Sequence, residues 1–150
     1  MKTLLGAVII SFFAASAQAD TVPSPAFSLV IREAGETNLN DFKWKKRPVI
    51  IFADSKDDPA FVEQMKLLAS RADDLNKRDV IVIVDTDPDA RSAIRLRMRP
   101  RGFMLTLVGK DGDVKIRKPF PWDVREITRS IDKMPMRQRE IRDENSDQNK

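Results

Sequence analysis

The sequence predicts an α/β fold, a central mixed sheet flanked by helices and built as a βαβ unit followed by ββα. Three observations carry the prediction. Two continuous apolar runs, Pro48 to Ala53 and Val80 to Val84, read as strands covered on both faces. Between them Phe61, Met65, Leu68, Ala72 and Leu75 recur at a spacing that keeps one helix face apolar. After them, Phe103 to Val108 and Val114 to Lys118 flank Lys110-Asp111-Gly112-Asp113, and Asp-Gly supplies the positive-φ positions of a tight hairpin.

The remaining elements fall into place around these. Asp20 to Pro25 is a polar lead-in with two prolines, and Phe27 to Ile31 reads as a short strand. Ala34 to Thr37 is a turn, Leu39 and Phe42 are apolar anchors, and Lys45-Lys46-Arg47 is a charged approach to the first central strand. Asp58-Pro59 opens the first helix, Asp as N-cap and Pro at the first helical position, and Asn76 to Arg78 ends it. Asp87-Pro88 opens a second helix in the same way, with Ala90, Ala93 and Ile94 inward. Phe120-Pro121 opens a last helix with Val124, Ile127, Ile131 and Met134 on one face. Two apolar strands joined by a helix form a right-handed parallel unit, the hairpin adds an antiparallel pair, and the last helix packs back. That order is the thioredoxin-like plan.

The amino terminus predicts export. Lys2, the apolar run Leu4 to Ala15 and the small-x-small signal Ala17-Gln18-Ala19 before Asp20 read as a secretory signal peptide. The run is short for a bilayer span of about 20 residues. The division is therefore a signal peptide at 1–19, one domain at 20–142, and a polar tail at 143–150 expected to be disordered. The expected destination is the periplasm or the medium.

Missing residue types remove whole chemistries. The chain has no cysteine, histidine or tyrosine. Thiol redox, disulfides, thiolate metal sites, the Ser-His-Asp triad and nearly every zinc site are excluded. Any catalysis would rest on carboxylates, Lys, Arg, Ser and Thr, and no cofactor is implied. The formal net charge of +4 is mild and spread along the chain.

The segment from Ala26 to Ser55 resembles the opening of a peroxiredoxin, but the Pro, Thr and Cys of a peroxiredoxin active loop are replaced by Ala53-Asp-Ser-Lys-Asp-Asp-Pro59. Thioredoxins also carry a cis-proline before the third strand, where this chain has Met104. The segments "KWKKRPVIIFADSKDDP", "GFMLTLVGKDGDVKIR" and "IDKMPMRQREIR" are similar to the secreted, thioredoxin-like DUDES family, from about Phe42 to Arg142. That resemblance implies a cysteine-free, peroxiredoxin-like fold outside the cytoplasm and no catalytic residue.

Two charged groups are candidate sites. Asp54, Ser55, Asp57 and Asp58 follow one strand, and Asp85, Asp87 and Asp89 follow the next. Ligands favour the carboxyl ends of strands in open α/β sheets, so these residues could hold Ca²⁺ or Mg²⁺. The simpler reading is helix capping. Asp85 to Leu96 fails as a calcium loop, with Ala90 at the glycine position and Leu96 at the bidentate glutamate position. Ser55 lacks an activating base, and Ser130-Ile-Asp-Lys133 is an inexpensive match in a Lys-rich chain.

The second group is Arg91, Arg95, Arg97, Arg99 and Arg101, extended by Lys115, Arg117 and Lys118. It reads as a solvated surface or as a contact for an anionic partner, an exported protein or an anionic glycan. Nucleic acid is disfavoured, as is the membrane once the signal is cleaved. Trp44 and Trp122 read as core or rim residues. The sequence thus points to a redox-inactive binding or interaction module rather than a thiol oxidoreductase or peroxidase. The alternative is a non-redox enzyme built on the acidic edge, with a divalent cation.

Overall fold

A computed structural model describes residues 28–149. The expected signal peptide and the lead-in Asp20 to Pro25 lie outside the described residues. Five strands form one sheet: β1 (Ile31–Glu33), β2 (Arg47–Phe52), β3 (Val80–Asp85), β4 (Met104–Val108) and β5 (Val114–Lys118), in the order β1-β3-β2-β4-β5. β1 and β2 run parallel to β3, while β4 runs antiparallel to β2 and β5. The sheet is mixed and has helices on both faces, as the element order predicts.

β2 and β3 are central and buried along their whole length, which is why both read as unbroken apolar runs. Side chains alternate between faces. Val49, Ile51, Val82, Leu105 and Leu107 point to one core with Leu68, Leu75, Ile127 and Ile131. Ile50, Phe52, Ile83 and Val108 point to the other with Ile94 and Met98. The helices of the first core are α1 (Pro59–Ser70), α2 (Ala72–Asn76) and α4 (Val124–Asp132), and that of the second is α3 (Ala93–Met98).

Five expectations are corrected. The first strand is Ile31–Glu33 rather than Phe27 to Ile31, although Val30 already accepts from Val82 N at 3.0 Å. The first helix is interrupted at Arg71, whose φ of −135° breaks the helical path between α1 and α2 while Leu68 and Leu75 both stay buried. Asp87-Pro88 opens only a 3-10 turn, Pro88–Ala90, because Arg91 follows at φ 47°. α3 then starts afresh on Ser92, whose Oγ accepts from Arg95 N, so Ile94 and Met98 are inward and Ala90 and Ala93 are exposed. α4 begins at Val124, capped by Asp123, three residues after Phe120-Pro121.

The fifth correction has the widest consequence. The polar tail expected to be disordered from Asp143 belongs to a helix, α5 (Pro135–Gln148). Pro135 supplies a fixed φ at its first position. Its anchors are ionic: Glu140 accepts from Arg47 of β2 and Lys110 of the β4–β5 hairpin, and buried Arg137 braces the helix internally on Glu140 and Glu144 at 3.2 and 3.0 Å.

Candidate functional site

The acidic edge does not converge. Asp54, Ser55 and Asp57 are exposed in the turn after β2. Asp58 caps α1, its Oδ1 accepting from Ala60 N at 2.8 Å. Asp87 caps the Pro88–Ala90 turn, accepting from Asp89 N and Ala90 N. Among the described residues no three carboxylates are arranged to hold a metal ion.

Asp85 alone of this group is buried, and it already has a partner. Arg95 donates from Nε to Asp85 Oδ1 at 2.9 Å, and Ser92 Oγ donates to Oδ2. Arg95 Nη2 also donates to the carbonyls of Ala53 and Asp85, each at 3.0 Å. Its guanidinium carbon lies 5.6 Å from the centre of the Phe52 ring. One arginine side chain therefore ties together the carboxyl ends of β2 and β3, where an open α/β sheet offers its ligand crevice. A cavity of about 370 Å³ beside this edge is lined by Glu33, Glu36, Lys56, Asp87 and Ser92, among others.

This corrects the basic group as well. Arg95 was expected on an anionic-partner surface with Arg97, Arg99 and Arg101, but its side chain is 11% exposed and internally paired. Arg97, Arg99 and Arg101 remain exposed. Arg99 ends α3 in the left-handed region at φ 52°. It and Arg101 line a cavity of about 270 Å³ with Phe103, Arg117, Lys118 and Pro119. Arg117 is half committed, donating to Met98 O at 2.7 Å, and Lys118 Nζ sits 4.9 Å from the Trp122 ring centre. None of these four cations has an ion pair among the described residues.

At the opposite end of the sheet lies a buried ionic network that sequence reasoning misses. Arg47 opens β2 at 1% exposure and donates to Glu140 at 3.2 and 3.0 Å and to Arg78 O at 2.9 Å. Lys110 donates to Glu140 and Asp79 at 2.7 and 2.8 Å, and Arg78 forks onto Asp132. Desolvation pulls the Glu140 pKa up, but hydrogen bonds from Arg47, Lys110 and Arg137 and the Arg47 charge outweigh it and hold it at about 2. The network docks α5 on the sheet. Partners separated by up to 93 residues cannot be matched from sequence periodicity.

Residues 38–140 match the family described as "Domain of unknown function (DUF4174)". Among curated proteins, the chain is 30% identical over 136 residues to "Coiled-coil domain-containing protein 80" of Danio rerio, covering 71% of this chain and 16% of that protein. The chain thus spans a small part of that relative's length. Among solved structures, it is similar to a reduced 2-Cys peroxiredoxin of Plasmodium vivax, with a TM-score of 0.56 and 15% identity over 69% of this chain and 85% of that one. A reduced desulfothioredoxin of Desulfovibrio vulgaris Hildenborough aligns at TM-score 0.49 and 18% identity, over 71% of this chain and 100% of that one. The peroxiredoxin likeness shows the fold: the chain is thioredoxin-like.

Proposed function

Given that the chain belongs to the family of the domain of unknown function DUF4174, we propose that it is an exported, redox-inactive binding module for an anionic partner. The absence of cysteine removes any thiol route. Export is supported by the Leu4 to Ala15 run, the Ala17-Gln18-Ala19 signal and the resemblance of three segments to the secreted DUDES family.

One observation carries the binding reading. The cavity between the α3–β4 connection and β5 gathers Arg99, Arg101, Arg117 and Lys118 without an opposing carboxylate. Unpaired cations around a concavity favour an anionic ligand and raise its encounter rate. The alternative, an enzyme on the acidic edge, finds its one buried carboxylate already held by Arg95 and Ser92.

The test is titration of the mature protein with hexaglutamate and with hexagalacturonate across a salt series. Binding of either that weakens steeply from 50 to 300 mM salt, and that falls in an Arg99→Gln/Arg101→Gln/Lys118→Gln variant, supports the reading. Binding of neither, or salt-independent binding unchanged in the variant, overturns it.

A further inference from the structure

Trp44 sits where a glycine or asparagine is expected. Its φ is 66°, in the left-handed region that a bulky side chain rarely adopts. The conformation follows from the turn between the Leu39–Phe42 3-10 helix and β2. Lys45 N and Lys46 N both donate back to Phe42 O, at 3.0 and 2.9 Å, while Trp44 N donates outward to Lys110 O at 2.7 Å. Residues in such strained positions persist where surrounding structure fixes them, and they cluster at ligand contacts.

The indole gains no packing in return. Trp44 is 66% exposed, the most exposed large apolar side chain among the described residues, and it belongs to neither core. Trp122, by contrast, packs against the first core and under Lys118. The core-or-rim reading therefore holds for Trp122 and is corrected for Trp44.

Three exposed lysines surround it in sequence, Lys43, Lys45 and Lys46. Lys43 and Lys45 have no ion pair among the described residues, and Lys46 reaches Asp79 only at 3.6 Å. The nearby acids are already engaged: Asp79 and Glu140 by Lys110, and Asp111 by Lys115. The Lys43 stem lies against the hairpin, its Cε 2.6 Å from where a Cβ on Gly112 would stand. The backbone of the turn is tied to Phe42 O and Lys110 O before any ligand arrives, which lowers the entropy cost of binding.

We infer that the Lys43–Lys46 turn is a recognition site for a linear acidic saccharide, with one sugar face on the Trp44 indole and its carboxylates on the lysines. A single isolated indole matches the area of one pyranose ring. The large exposed hydrophobic residues besides Trp44 are Val30, Ile31, Val62, Leu96 and Phe120, none in this turn, so the turn lacks the wider apolar area of a membrane-inserting surface or of a protein hot spot with its surrounding ring. The charge around it is complementary to uronates. This site lies at the opposite end of the sheet from the Arg99–Arg101 cavity and does not depend on it.

The experiment uses Trp122→Phe protein, in which Trp44 is the sole fluorophore. Hexagalacturonate should shift its emission to the blue and protect it from acrylamide, and the Arg99→Gln/Arg101→Gln/Lys118→Gln substitutions should leave that signal intact. Cellohexaose, which has sugar faces without carboxylates, and hexaglutamate, which has carboxylates without sugar faces, should do neither. By calorimetry in the Arg99→Gln/Arg101→Gln/Lys118→Gln background, Trp44→Gly and Trp44→Asn should weaken hexagalacturonate binding about tenfold or more. Their Tm should be unchanged or raised, because both residues relieve the backbone strain. The proposal is overturned by unshielded Trp44 with hexagalacturonate, by equal shielding with hexaglutamate, or by shielding only with phosphatidylglycerol vesicles. A lowered Tm in both variants would also overturn it, by making Trp44 a packing residue.

Discussion

The Asp85 carboxylate and the Arg95 guanidinium form a buried ion pair, Oδ1 to Nη2 2.8 Å, across the carboxyl ends of the two central strands. Sequence position assigns the two residues to different surfaces, one acidic and one basic. Packing makes each the other's counter-ion and withdraws both from solvent. The carboxyl ends of β2 and β3 are bridged by the protein's own side chains.

Removing one member of that pair strands the other. Asp85→Ala is expected to lower stability by about 3–5 kcal/mol, measured by urea denaturation. Asp54→Ala, in the exposed turn 31 residues earlier, is expected to stay within about 0.5 kcal/mol of the parent. Similar losses for the two variants would show that the Asp85–Arg95 pair does not hold this edge.

The second expectation concerns acid. The pKa of Glu140 is about 2 in the folded protein against an ordinary 4.5. A depressed folded pKa means that the unfolded chain takes up the proton first as pH falls. The stabilisation from Glu140 is therefore complete above about pH 4.5 and is lost progressively toward pH 2. A Glu140→Gln variant should be less stable at neutral pH and should show a flatter stability profile between those limits. An unchanged slope in a pH series of thermal melts would rule out Glu140 as the titrating group.

Which parts of this molecule are legible in the sequence follows from how each part is encoded. Pro48 to Ala53 and Val80 to Val84 announce central strands because burial on both faces requires continuous apolar residues. Asp111-Gly112 announces the hairpin because the turn needs φ > 0, and Gly112 has φ 85°. Asp58 is a legible cap because its acceptor acts on Ala60, two residues away. The ion pairs that decide the site are non-local. Arg47 with Glu140 and Arg78 with Asp132 join residues whose proximity exists only after the sheet and α5 have assembled. The helical state of Asp143 to Gln148 is illegible for the same reason, since its composition alone reads as disorder. The exposed indole of Trp44 is hidden differently: nothing local marks a tryptophan as left-handed.

The ionic docking of α5 makes a truncation experiment informative. Ending the chain after Glu144 keeps Arg137, Glu140 and Glu144 and is expected to cost less than about 0.5 kcal/mol. Ending it after Met134 removes Glu140 from Arg47, and breaking a buried ion pair costs about 3–5 kcal/mol. Chemical denaturation of the two truncations, compared with the full chain, separates a docked helix from a dispensable tail. Equal stabilities would mean that α5 contributes nothing to the fold.

Divalent cations provide a direct test of the acidic edge. With Asp58 and Asp87 capping and Asp85 paired, 5 mM Ca²⁺ or Mg²⁺ is expected to leave Tm within about 1 °C. Selective binding at one hundred times Kd would add about 2.7 kcal/mol, a rise of several degrees for a domain of this size. A shift of that size, abolished by Asp54→Asn with Asp87→Asn, would restore the metal-dependent reading.

Restoring a cysteine asks what the strand-to-helix turn retains of redox chemistry. Ser55 is exposed after β2, in a turn that also carries Asp54, Asp57 and Asp58. A thiolate gains reactivity from nearby cations or a helix N-terminus that lowers its pKa. Here the helix N-terminus is occupied by the Asp58 carboxylate, and Lys56 points toward Glu33 at 3.9 Å. Arg95, the buried cation at this edge, is committed to Asp85 and to two carbonyls. Negative neighbours oppose a further negative charge, so a Ser55→Cys thiol should titrate at or above the ordinary value of about 8.5. The pH dependence of its alkylation by iodoacetamide measures this directly. Its peroxide consumption should not exceed that of a free thiol such as N-acetylcysteine at the same pH. A thiol pKa below 7, or peroxide consumption well above that reference, would show that the turn still activates a thiol.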